Sequence, residues 1–274
     1  MDDQTTRTIC EDWDRLAKEY ARRLFDELRY KPFDCELLDR LAAEVGPGEV
    51  CDMGCGPGHV ARYLKQRGVS VLGLDLSPEM LEQARKLNPD ISFREGNMMS
   101  LDIPKETLAG ITAFYAIVNI PAHSLPAVFE QMARVLKPNG LLLLAFHVGN
   151  EILQEHELWG YKISMDFLLF PSREVGKYLE ESGFTVDEII EREAYPEIEH
   201  QSRRAYVLAR KRVEWFTSSC AMAPSRAMID QFWQRAGQRV LDRVATLVNT
   251  AHLRTKTPTP ATRLHQAEMR MASR

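Results

Sequence analysis

An apolar run that breaks into closely spaced glycines constrains this chain most: Val50-Cys51-Asp52-Met53-Gly54-Cys55-Gly56-Pro57-Gly58-His59-Val60. The run before Gly54 reads as a short buried strand, and residues 57–67 read as a helix. A strand that passes into a helix within a few residues needs glycine where the backbone turns tightly or where another group approaches it. The resulting loop presents the free N–H groups and positive dipole end of a helix start. A strand–glycine loop–helix joint of this kind belongs to layered α/β folds, where it lies at the C-terminal edge of the sheet.

The rest of the chain alternates in the same way. Residues 69–75 (VSVLGLD), 91–96 (ISFREG), 108–116 (LAGITAFYA) and 141–147 (LLLLAFH) read as further strands. The last is apolar on both faces, as a central parallel strand is. Helices are expected from Ser77-Pro78-Glu79 to about Lys86, over 124–137 and over 172–182. The alternation implies a doubly wound sheet with right-handed crossovers. Residues 184–193 and 203–211 are two more strands with no room for a helix between them, so they form a hairpin and the last strand runs antiparallel. That makes seven strands. In front lie an amphipathic helix over 11–29, with Trp13, Leu16, Ala17, Tyr20, Leu24 and Leu28 at helical spacing, and a short helix over 34–45. The expected organisation is an N-terminal helical cap (1–46), a core (47–211) and a C-terminal helical tail (212–274).

Composition narrows the functional classes. Residues 1–211 hold 25 basic and 35 acidic residues, and an acidic body does not suggest a nucleic-acid groove. Five cysteines (10, 35, 51, 55 and 220) include no CxxC pair, which fits a reducing cytoplasm better than a disulfide framework or a zinc site. The longest apolar run, Leu141 to Phe146, is far too short to cross a membrane, and the acidic, polar start does not read as a signal peptide. Residues 212–274 carry ten Lys/Arg against four Asp/Glu. Their amphipathic stretch, 224–250, is expected to dock on its own domain or pair two copies, with contact to an acidic membrane surface or partner as the alternative, and residues 255–274 are expected to be disordered.

The glycine spacing bears on the ligand. A dinucleotide fingerprint, GxGxxG, would place its third glycine at 59, which is His59; here the third glycine is Gly58, and Asp52 precedes the first. A carboxylate there would repel a pyrophosphate but can hold an ammonium group. No Gly-Lys-Ser/Thr follows, which excludes a Walker loop. Asp75 ends the second strand, where doubly wound folds place a carboxylate on ribose hydroxyls. Met80 is placed to pack on an adenine face, and Asn97 to hydrogen-bond its exocyclic amine.

In these segments (DMGCGPG, LDLSPEML, REGNM, FYAIVNIP and RVLKPNGLLLLAFH) the chain resembles the class I S-adenosylmethionine-dependent methyltransferases, a Rossmann-like family, over about residues 11–211. The resemblance implies S-adenosylmethionine as cofactor and S-adenosylhomocysteine as product. It implies that Asp52, Gly54, Cys55, Gly56 and Gly58 surround the methionine moiety, and that Asp75 holds the ribose. Leu76, Met80, Asn97 and Met98 would surround the adenine, while Phe114, Tyr115 and Ala116 would line the sulfonium side. Asn97 stands where the family usually has Asp. WDRLAKEY resembles the family's N-terminal lid helix, from which Tyr20 would close over the methionine end; Tyr20 reads equally well as a core aromatic. Packing under the loop explains Cys55 better than reactivity does.

The acceptor side is expected in the loops 116–123, 147–170 and 194–202, with Lys31 joining from the cap. His147 ends the fifth strand and is the candidate base or orienting group. Asn119-Ile120-Pro121-Ala122 lacks the NPPY-like pattern of amino-group acceptors. The expected function is methyl transfer to a small molecule, at oxygen, nitrogen, sulfur or carbon. The alternative is a protein that binds S-adenosylmethionine or S-adenosylhomocysteine without transferring the methyl group.

Overall fold

The computed structural model describes residues 1–213. The expected tail helix over 224–250 lies outside the described residues. Helix α1 (Asp3–Leu24) is capped by Asp2, whose side chain accepts from the Thr5 amide. A 3₁₀ turn (Glu27–Tyr30) leads to α2 (Pro32–Glu44). Then follow β1 (Glu49–Met53), α3 (His59–Gln66), β2 (Ser70–Asp75), α4 (Pro78–Leu87), β3 (Ser92–Glu95), β4 (Leu108–Phe114), α5 (Leu125–Val135) and β5 (Leu136–His147). Four short strands come next: β6 (Ile152–Gln154), β7 (Glu157–Leu158), β8 (Tyr161–Lys162) and β9 (Asp166–Leu168). The described fold closes with α6 (Ser172–Glu181), β10 (Phe184–Arg192) and β11 (Arg204–Lys211).

Seven strands form one sheet in the order β10-β11-β5-β4-β1-β2-β3. β1 to β5 are mutually parallel, and β11 runs antiparallel between β5 and β10. This is the doubly wound sheet with a reversed last strand that the alternation implies. The two-residue period of β5 sorts its apolar run between two cores. Leu142, Leu144 and Phe146 face α5 and α6 with Phe129, Met132 and Leu179. Leu141, Leu143 and Ala145 face the other layer, with Leu38, Leu41 and Leu64. Because both faces are covered, no alternation of apolar and polar residues survives along β5.

The structure differs from the sequence reading in several places, and α1 also ends at Leu24, ahead of the 3₁₀ turn, rather than at 29. α1 begins at Asp3 rather than residue 11, because its first turns are polar and bury little besides Ile9. β5 begins at Leu136; Lys137-Pro138-Asn139-Gly140 is an irregular stretch within the strand rather than a loop before it, with Asn139 at φ 63°. The 147–170 segment is not a plain loop. β6 pairs with β9 and β7 with β8, both antiparallel. Strands of two or three residues leave no periodicity to read.

Candidate active site

The loop after β1 is shaped by positive φ at Gly54 (68°), Gly56 (50°) and Gly58 (81°). A Cβ on Gly54 would lie 2.5 Å from that of Ala116, so the β1 and β4 ends approach through the missing side chain. A Cβ on Gly58 would meet Phe93 and Asn88 below 3.0 Å. At the end of β2, Asp75 reaches across. One oxygen accepts from the Gly56 amide (2.7 Å) and the other from the Ser77 amide (2.9 Å). Burial raises its pKa, opposed by those amides.

An open cleft of about 800 Å³ lies over this edge. Tyr20, Gly54, Gly56, Asp75, Leu76, Met80, Asn97, Met98, Phe114, Tyr115 and Ala116 line it, all residues that the sequence singled out. Trp13, from the same helix segment, also lines it. Met1, Ile9, Leu74, Gly96, Asn119 and Ile120 join them. Among the described residues, no lysine or arginine lines the cleft to compensate a phosphate. Asn97 Oδ1 accepts from the Met99 amide at 2.9 Å, so its acceptor end already serves a turn.

α1 forms the roof. Asp14 accepts from Ser77 Oγ (2.5 Å) and the Glu79 amide (3.1 Å), tying the roof to the start of α4. Asp12 accepts from the amides of Ser164 and Met165, tying it to the segment after β5. Trp13 Nε1 donates to Asn119 Oδ1 at 2.9 Å, and Trp13 meets Tyr20 edge to face at 5.6 Å. Tyr20 also lies 6.0 Å from Trp159. These anchors come from residues far apart in sequence and carry no local signal.

Four expected site residues do not line the cleft. Asp52 is buried at 1% exposure; one oxygen accepts from Thr112 Oγ1 (2.8 Å) and the other from the Ala61 amide (3.1 Å). It therefore supplies from β1 the cap that Gly58 cannot give the first turn of α3. Burial raises its pKa to about 6. Both of its oxygens serve these protein donors, and the side chain does not line the cleft. Cys55 packs beneath the loop beside Gly73, with its thiol pKa pushed well up by burial. Gly58 turns the chain into α3 against Phe93. His147 lies behind Tyr115, their rings 4.9 Å apart, and burial followed by the Arg204, His200 and Lys31 charges lowers its pKa to about 3. At that value the imidazole is neutral near pH 7.

Behind Tyr115 the structure also assembles a buried polar network. Glu199 pairs with Arg192 (2.7 Å), Arg204 (3.2 Å) and Lys31 (3.6 Å). Burial opposes its ionisation, but Arg192, the Tyr195 amide, Arg204 and Lys31 hold it at about 2. Asp34 accepts from Tyr206 (2.5 Å) and Arg192 (2.9 Å). Glu27 joins Lys31 (2.8 Å) to His59 (3.2 Å). Of these, the sequence reading placed Lys31, and Tyr195 and Glu199 in the 194–202 loop, on this side.

Residues 50–140 match the family model described as a methyltransferase domain. Over 136 residues the chain is 35% identical to a trans-aconitate 2-methyltransferase of Methylobacterium nodulans, covering 48% of each. Over 154 residues it is 30% identical to a malonyl-[acyl-carrier protein] O-methyltransferase of Pectobacterium atrosepticum, covering 56% of this chain and 58% of that one. The chain thus spans about half the length of the curated relatives it matches. Among solved structures, a DhpI–SAH complex superposes with a TM-score of 0.61 at 18% identity, covering 77% of this chain and 99% of that one, a likeness of fold.

Proposed function

We propose, from the premise that this chain carries a class I S-adenosylmethionine-dependent methyltransferase domain, that it transfers the methyl group of S-adenosylmethionine to a small-molecule acceptor. One observation carries the reading: a cleft at the C-terminal edge of β1, β2 and β4, walled by glycine backbone, floored by a buried carboxylate and roofed by aromatic side chains. Those residues fit a sulfonium nucleoside. Asp75 keeps lone pairs free for ribose hydroxyls beyond the two amides it accepts from. Leu76, Met80 and Met98 offer apolar faces to adenine, and Asn97 its carboxamide edge. Gly54 and Gly56 let the methionine end lie against the backbone. Phe114 and Tyr115 offer π faces to the sulfonium side, which attract a cation, and Ala116 packs beside them. Tyr20 shields it from above, its hydroxyl kept protonated by burial.

Bound there, S-adenosylmethionine supplies an electrophilic methyl with a good leaving group. The chain's part is then mainly to hold the acceptor in line and exclude water. The relatives, named for trans-aconitate and a malonyl carrier protein, support a small or carrier-held acceptor. Four free cysteines among the described residues support a reducing cytoplasm as its compartment. The basic segment 212–274 is proposed to dock on its own domain or to pair two copies. Calorimetry of the full chain tests the cofactor: S-adenosylmethionine and S-adenosylhomocysteine bind, and NAD does not. Binding of NAD alone would reverse the assignment.

A further inference from the structure

We propose that Asn97 reads the purine of the cofactor through its side-chain NH₂, donated to a ring nitrogen beside C6, so that the site recognises a ring lone pair and is indifferent to the 6-amino group. The inference rests on the methyl-transfer reading and adds to it which edge of the base is recognised. It differs from the pairing with the exocyclic amine expected from the sequence, and the reason lies in a turn. The Gly96 amide, just past β3, donates to Asp75 O (2.9 Å), and the Ser100 amide donates back to Asn97 O at 3.0 Å. Inside that turn the Met99 amide donates to Asn97 Oδ1 at 2.9 Å. A backbone N–H can only donate, so the side-chain atom it meets is the oxygen, and the carboxamide has one orientation. The end left over is Nδ2, a donor with two hydrogens. Among the described residues it has no hydrogen-bond partner, and Asn97 is half-buried in the cleft wall.

The other polar side chains of the wall offer no substitute acceptor for the amine. Asn119 is used at both ends: its Oδ1 accepts from Trp13 Nε1 (2.9 Å), and its Nδ2 donates to Asp166 O (2.7 Å). Asp75 is the one carboxylate lining the cleft among the described residues. Its two oxygens accept from the Gly56 and Ser77 amides, and its remaining lone pairs go to the ribose hydroxyls. Leu76, Met80 and Met98 bring apolar side chains. Adenine presents one donor, the 6-amino group, flanked by two acceptors, N1 and N7. An NH₂ facing the amino group sets donor against donor, whereas the same NH₂ facing a ring nitrogen makes a hydrogen bond. A carboxylate at position 97 would do the reverse. One oxygen would keep the Met99 amide, and the other would accept from the amino group. Asn97→Asp thus has nearly the same shape and the opposite reading of the base.

The test is calorimetry of the full chain with S-adenosylhomocysteine and with three analogues of it. One lacks the 6-amino group, one has carbon in place of N1, and one has carbon in place of N7. S-adenosylhomocysteine is the parent ligand because its sulfur is uncharged, so a charge introduced at position 97 has no sulfonium to act on. In the unmodified chain, loss of the amino group is expected to change affinity by less than about threefold. One of the two deaza analogues should bind about three- to tenfold more weakly, the worth of one neutral hydrogen bond. In Asn97→Asp the amino group becomes necessary: its loss costs about tenfold or more, as for a bond to a charged acceptor, and most of the deaza penalty disappears. The affinities of the unmodified chain decide the proposal by themselves, whether or not the variant folds. More than about a threefold loss without the amino group overturns it, as does equal binding of S-adenosylhomocysteine and both deaza analogues. A folded Asn97→Asp with the preferences of the unmodified chain overturns it too. If S-adenosylhomocysteine itself does not bind, the methyl-transfer reading fails instead.

Discussion

Replacing Asp52 by Asn separates a structural carboxylate from a ligand-binding one. Burial holds this carboxyl at about 6 against an ordinary 3.8, a gap of about 2 pH units. At 1.36 kcal/mol per unit this corresponds to roughly 3 kcal/mol. The unfolded chain releases its proton near 3.8 and the folded chain near 6. Between these values the folded state binds more protons, so stability falls as pH rises through the window. Neutral Asp and Asn offer the same groups to Thr112 Oγ1 and the Ala61 amide, one acceptor and one donor. Asp52→Asn should therefore match the parent at pH 4 and exceed it by about 2–3 kcal/mol at pH 7.5. For a domain of this size that is roughly 4–12 °C in Tm. Paired thermal melts at the two pH values measure it, and calorimetry with S-adenosylmethionine should change by less than about threefold. Equal melting gaps at both pH values would refute the linkage. A cofactor affinity more than about tenfold weaker would return Asp52 to the ligand shell.

Two further outcomes follow from the same geometry. Gly58→Ala forces a left-handed alanine against Phe93 and Asn88, and should cost about 2–4 kcal/mol from backbone strain plus overpacking, read from the urea midpoint. Glu199→Gln leaves Arg192, Arg204 and Lys31 facing a neutral group and should cost about 3–5 kcal/mol at pH 7. Because Glu199 is held at about 2 against 4.5, its contribution is complete above 4.5 and disappears as pH falls through the folded value, so the gap between variant and parent should close between pH 4.5 and 2.

The cleft was legible in the sequence where its parts are local. Gly54, Gly56, Asp75 and Tyr115 each sit at or just past a strand end, and Met80 in the first turn of the helix after β2, positions that follow from the alternation of elements; strand ends on one edge of a doubly wound sheet must converge. Asp52 has a type and position that suit two roles, and the structural one shows only through Thr112, sixty residues on. The pairing of Asp34, Arg192, Arg204 and Tyr206 was missed for a related reason. Asp34 meets partners 158 and 172 residues away, and a lone buried charge leaves no pattern in the chain. The roof was half visible: Trp13 and Tyr20 follow from helical spacing, but Asp12 and Asp14 look like ordinary surface acids until their amide partners are placed.

The position of β11 has a consequence for biosynthesis. Its eight residues fill the gap between β5 and β10, yet they come last among the described strands. While the ribosome is still short of Lys211, the Leu141–Phe146 flank of β5 has no neighbour on that side, and its unpaired amides and carbonyls invite another nascent chain. Chains truncated just before Arg204 should collect in inclusion bodies, whereas those released after Lys211 have the means to close the sheet.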